Sequence, residues 1–191
     1  LSLPFPGVEF QPLLTEIASQ KPDVVFAFFA GGGAVKFVKD YDAAGLKKSI
    51  PLVGSGFLTD GTLEAQGASA QGLITALHYG DNIETPRNTA FRNKFAVTYK
   101  VNPDVYALQG YDAAQMLAIG LATVKGDLSK KDALYAAMNK AQIDSPRGKF
   151  TLSPQRNPTQ DFYVREVKGN YNVVTGIAVK ALADPGRGCK P

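Results

Sequence analysis

The feature that most constrains this chain is Asp23–Ala30 (DVVFAFFA), a continuous apolar run after its first residue, set between Lys21-Pro22 and Gly31-Gly32-Gly33. A short run of Val and Phe closed by turn residues reads as a parallel strand buried on both faces. The glycines turn the chain into a helix over Ala34–Ala44, with Val35, Val38 and Tyr41 or Asp42 on its inner edge and Gly45 at its C-terminal stop. Ahead of the strand, Phe10, Leu13, Leu14, Ile17 and Ala18 recur at helical spacing, which predicts an amphipathic helix over Phe10–Gln20.

The same alternation continues. Ile50–Val53 predicts a second strand ending in Gly54-Ser55-Gly56, Asp60 is placed to cap a short helix over Gly61–Gln66, and Gly72–His78 predicts a third strand. Strands separated by helices mean βαβ units and a parallel sheet, hence an α/β fold. Helices are then predicted from Pro86 to Tyr99, from about Val105 to Val124 and over Lys130–Lys140. Strand signals return at Lys149–Leu152, Asp161–Val167 and Tyr171–Val179, the last two joined as a hairpin through Lys168-Gly169-Asn170.

Composition narrows the chemistry. The 191 residues suit one domain or two small lobes. A net charge of +4 with interleaved acids, and no basic run longer than Lys47-Lys48 or Lys130-Lys131, describes a solvated mixed surface and argues against a nucleic-acid partner. One Cys and one His leave no Cys-based zinc site and no His cluster. No apolar stretch approaches the ~20 residues of a membrane span. Leu1–Pro6 lacks the charged and apolar regions of a signal peptide, so the expectation is a chain already processed or starting upstream of Leu1.

Several positions are weighed as sites. Gly31–Gly33 lie between a strand and a helix, where backbone N–H groups favour an anion, but the dinucleotide pattern fails because Lys36 stands where its last glycine belongs. A turn chosen for geometry and a backbone site for a carboxylate both remain open there. No cofactor is indicated. Ser55, Gly56 and Phe57 end the neighbouring strand on the same edge of the sheet, the edge where open α/β sheets collect ligands. Gly54 and Gly56 stand too close to Ser55 for a nucleophile elbow, so Ser55 reads as a hydrogen-bond donor or a turn residue. His78 closes the third strand on that edge, as a structural or ligand-facing side chain. Asp40 with Asp42, and Asp81 with Glu84, read as solvated charges. Tyr106, Gln109, Tyr111 and Asp112 form a dense polar cluster at the start of an otherwise apolar helix.

In order, KPDVVFAFFAGGGAVKFVKDYDAAGL, IPLVGSGFLTD, GLITALHYGD, PDVYALQGYDAAQML, SPRGKFTLSPQRNPTQDFYVREV and DPGRGCK resemble the Leu/Ile/Val-binding-protein branch of type I periplasmic solute-binding proteins. The likeness is strongest to the members dedicated to aromatic acids. It implies parallel sheets flanked by helices in two lobes joined by three crossing strands, here incomplete. Residues 1–104 would belong to the second lobe and 105–145 to first-lobe helices, while 146–191 would supply C-terminal strands returning to the second lobe.

The resemblance also implies a protein that catalyses nothing. It would work in the periplasm, deliver a small-molecule solute to the membrane permease of an ABC importer, and bind through Phe29, Ala30, Gly31, Ser55, Gly56 and Phe57, with Gly32, His78, Tyr106 and Gln109 as further candidates from the residue pattern. Gly56 stands where amino-acid binders place an acid for the ligand's ammonium, and Ala30 or Gly31 where they place a Tyr. With Phe28, Phe29 and Phe57 as apolar lining, an aromatic carboxylate fits better than leucine. Full members run to about twice this length. An isolated half is therefore expected to bind weakly and to self-associate or pair with the other half, and Cys189 would either bridge to that half or remain a free thiol. A sensory ligand-binding module of the same fold is the alternative, and an enzyme centred on Ser55 a distant third.

Overall fold

The structure is a computed structural model that describes residues 1–2 and 9–188. These residues divide into two compact units, and the chain passes between them three times, at Asn82/Ile83, Phe162/Tyr163 and Gly176/Ile177.

Unit 1 holds β1 (Val25–Ala27), β2 (Leu52–Ser55) and β3 (Ile74–Leu77), with α1 (Gln11–Gln20), α2 (Gly31–Ala43) and the short α3 (Leu63–Gln66). β1 pairs with β2 and β2 with β3 in parallel, in the register Phe26↔Val53↔Ile74. β5 (Pro158–Lys168) then joins β3 antiparallel, with Thr75 opposite Arg165, and β6 (Tyr171–Leu182) pairs with β5. Helices pack on one face of this sheet. Their apolar stripes (Leu14 and Ile17 on α1, Phe37, Val38 and Tyr41 on α2) meet Ala27, Leu52, Leu58 and Val167 in one core. Phe10, Phe29 and Phe37 form its aromatic centre, with ring centroids 4.7–5.2 Å apart.

Three local expectations change. β1 is shorter than Asp23–Ala30 and is covered on one face only: Val24, Phe26 and Phe28 are 49%, 70% and 64% exposed. The described elements pack on the Ala27 side, which leaves the alternate residues of this edge strand open. α2 begins at Gly31 instead of Ala34, so the glycines are its first turn. Asp60 does not cap a helix. α3 starts at Leu63 after Thr62, which makes no side-chain cap bond, and Asp60 is instead 2.8 Å from Arg165. The stop after α2 is as read from sequence, with Gly45 at φ +73.

Unit 2 is built from α4 (Pro86–Tyr99), α5 (Val105–Thr123) and α6 (Lys131–Asn139), with β4 (Thr151–Leu152) pairing antiparallel with the start of β5. Thr85 and Asp104 cap α4 and α5, accepting from the N–H groups of Asn88 and Ala107. Gly120 brings α5 against α6, where an added Cβ would lie 2.8 Å from Leu134 and Met138. α4 lies in this unit with α5 and α6. None of the described helices is long and apolar enough to cross a membrane.

Candidate functional site

In unit 1 the parallel pairing brings the carboxyl ends of β1, β2 and β3 to one edge, and with them Phe28–Gly33, Ser55–Phe57 and His78. The first turn of α2 faces that edge. Its N-cap residue Ala30 is extended, with no side-chain cap bond, and Cβ atoms built at Gly31, Gly32 or Gly33 would meet nothing within 4 Å. Helix N-terminal amides have no intrahelical acceptor, and here no side chain caps them.

Alternation along the strands separates the candidates. Phe29 is partly buried and packs against the core rings of Phe10 and Phe37. Phe28 points the other way and meets Phe57 edge to face, with ring centroids 6.0 Å apart. Ser55, on the same open face of β2, has a buried hydroxyl with no hydrogen-bond partner in the structure. His78 is buried, 7% exposed. Gly54 and Gly56 point to the covered face. A Cβ at Gly54 would sit 2.7 Å from the Ala27 carbonyl, and one at Gly56 would collide with Arg165 Nη2 and approach Leu77 Cβ to 2.6 Å.

Beneath this edge lies an ion pair that the pattern of motifs did not disclose. Arg165 is fully buried, and its guanidinium donates to Thr75 Oγ1 at 3.0 and 3.3 Å and to the Tyr79 carbonyl at 2.9 Å, while lying 2.8 Å from Asp60 Oδ2. Next to it, Thr59 Oγ1 is bonded to Asn172 Oδ1 at 2.6 Å. The available signal was parity: in Tyr163-Val164-Arg165-Glu166-Val167, Arg165 shares the face of the core residue Val167. The acids read as solvated are only partly so. Asp40 is paired with Lys36 on the surface of α2, whereas Asp81 accepts from the Asn172 N–H at 2.6 Å.

In unit 2 the polar cluster at the start of α5 splits. Tyr106 is 45% exposed and Gln109 half-buried, Tyr111 packs on Phe91, and Asp112 is buried. Asp112 Oδ2 accepts from Ser145 Oγ at 2.8 Å and lies 3.0 Å from Arg147, whose guanidinium covers the Phe150 ring at 4.0 Å. Burial pushes the Asp112 carboxyl up from 3.8 against the pull of Ser145 and Arg147, and pushes the Arg147 guanidinium below its ordinary value against the pull of Asp112. Both directions say that desolvation outweighs attraction in this pair. A groove of about 460 Å³ between α4 and α5, walled by Phe91, Phe95, Tyr99 and Tyr111, includes neither Tyr106 nor Gln109.

Among the described residues no cluster of three His, Cys, Asp or Glu could hold a metal ion. Cys189 lies outside the described residues. An edge with backbone donors, one unpartnered hydroxyl and an aromatic pair can hold a small anion with a ring.

Residues 2–172 match the family model for periplasmic binding proteins, and the chain belongs to that family. It has the type I fold of the family, a mostly parallel open sheet flanked by helices. The chain is similar to a solute-binding protein of an ABC transporter from R. palustris solved in complex with benzoate: 51% identical, TM-score 0.95, covering 100% of this chain and 52% of that one. It is also similar to a solute-binding protein of an ABC transporter from Rhodopseudomonas palustris BisB5 solved in complex with 3,4-dihydroxybenzoic acid, at 30% identity and TM-score 0.83, over 93% of this chain and 50% of that one. A Leu/Ile/Val-binding protein homolog of Brucella melitensis is 31% identical over 87% of this chain and 44% of its own length. The chain thus spans about half the length of these relatives.

Proposed function

We propose that the protein is the solute-binding component of an ABC importer, working outside the cytoplasmic membrane, and that its ligand is a small aromatic carboxylate in preference to a branched-chain amino acid. The observation that carries the ligand class is the Ser55 hydroxyl. It is buried without a partner at the end of β2, on the face where Phe28 meets Phe57. A buried hydroxyl left unpaired is costly, and a ligand carboxylate or phenol oxygen satisfies it. The uncapped first turn of α2 adds backbone donors for the same charge. Position 56 is glycine and the nearby acid Asp60 is paired with Arg165, so neither offers a ligand ammonium a free carboxylate. The benzoate and dihydroxybenzoate complexes of the R. palustris relatives support this reading.

The test is a thermal-unfolding screen of the complete protein against benzoate, 4-hydroxybenzoate, leucine, isoleucine and valine. Stabilisation by the benzoates alone is expected. Stabilisation by the amino acids alone would contradict the ligand class. Ser55→Ala should weaken benzoate about tenfold or more, the scale of a hydrogen bond to a charged group.

A further inference from the structure

We propose that Arg165 is the positioning residue of this site, filling the space behind Gly56 and tying the ligand-facing ends of β2 and β3 to β5. The inference rests on the reading of Ser55–Phe57 as part of the ligand site. Four observations carry it. Arg165 stands on β5 opposite Thr75, and its Nε and Nη2 both donate to the Thr75 hydroxyl, fixing the side chain along β3. Its Nη1 donates to the carbonyl of Tyr79, the residue after His78, which holds the exit of β3. Its Nη2 reaches Asp60, whose backbone N–H donates to the Gly56 carbonyl at 3.0 Å, so the guanidinium also holds the turn that follows β2. Finally, Nη2 lies where a side chain at position 56 would begin.

One fully buried group therefore shares with Leu77 the space a side chain at position 56 would need, and it ties two strand exits together. The planar guanidinium is suited to this, because its donors point in fixed directions to separate acceptors. Asp60 compensates the buried cation, and the guanidinium's hydrogen bonds are spent on the scaffold rather than on a ligand.

The test separates positioning from bulk stability. Removing Arg165 alone would strand the Asp60 charge, so the informative variant is the double substitution Arg165→Met with Asp60→Asn, in the complete protein. The comparison is Tyr41→Phe, which removes the buried Tyr41 hydroxyl bond to the Ile50 carbonyl at the opposite end of β2. Benzoate is titrated into each variant by calorimetry, and thermal unfolding is followed without ligand. The double variant should lose about tenfold or more in benzoate affinity, the scale of losing hydrogen bonds to charged groups, while Tyr41→Phe retains wild-type affinity. Wild-type affinity in the double variant would overturn the proposal, and so would a loss matched by Tyr41→Phe.

A second arm needs no ligand and stands even if the protein binds no benzoate. Gly56→Ala should lower the melting temperature less in the double-variant background than in wild type, because one of the two obstructing groups is gone. Equal shifts in the two backgrounds would show that Arg165 does not hold position 56.

Discussion

At Gly33 and Gly56 one residue type meets two different demands. Gly33 opens onto empty space within the first turn of α2, so Gly33→Ala should raise stability by about 0.5–1 kcal/mol in urea unfolding, as a helix propensity gain. At Gly56 an added methyl meets Arg165 and Leu77, and Gly56→Ala should lower stability by about 1–3 kcal/mol in the same measurement. Sequence spacing marks both as turn glycines, because spacing reports chain direction and not what lies beyond the Cα. The buried arginines were hidden for a related reason. Arg165 and Arg147 look like surface charges until their partners, Asp60 and Asp112, are brought from distant segments. Asp112 also predicts a pH dependence. Its carboxyl is raised from 3.8 on folding, so the folded state binds that proton more tightly. The resulting stability is fully present below 3.8 and is lost as pH rises through the raised value. Because Asn mimics the protonated carboxyl, wild type should lose stability relative to Asp112→Asn as pH rises through the raised value, and a pH-independent difference would contradict the assignment.

The helices were legible because their signals are local. The 3.6-residue pattern, Pro86 at the start of α4 and Gly45 after α2 stand within a turn of the features they specify. Thr85→Ala should cost about 1 kcal/mol by removing the α4 cap, measurable by chemical denaturation. Strand β1 shows where local reading stops. An apolar run predicts apolar neighbours but cannot say how many faces are covered, and here Phe26 and Phe28 face outward. The edge strand and its open apolar row should drive concentration-dependent association of this 191-residue chain in sedimentation, relieved by Phe26→Lys. A monomer at high concentration would refute that expectation. Phe28 and Phe29 show the same limit, because one step along a strand exchanges the faces: Phe28 is exposed, while Phe29 packs partly buried against Phe10 and Phe37.

For the whole molecule, the family and fold were readable from the order and spacing of segments across the chain, none of which is diagnostic alone. What was not readable is the buried polar group beneath the edge: Arg165, Thr75, Asp60 and Asn172 come together only because β5 pairs with both β3 and β6. The chain spans about half of its relatives, 52% of the benzoate-bound R. palustris protein and 44% of the Brucella protein. The ligand class therefore has to be measured on the complete protein. Calorimetric titration with benzoate and, separately, with leucine is the most direct measurement. Saturable benzoate binding, weakened by Ser55→Ala and not competed by leucine, is the expected result. Saturable leucine binding with no heat from benzoate would contradict it.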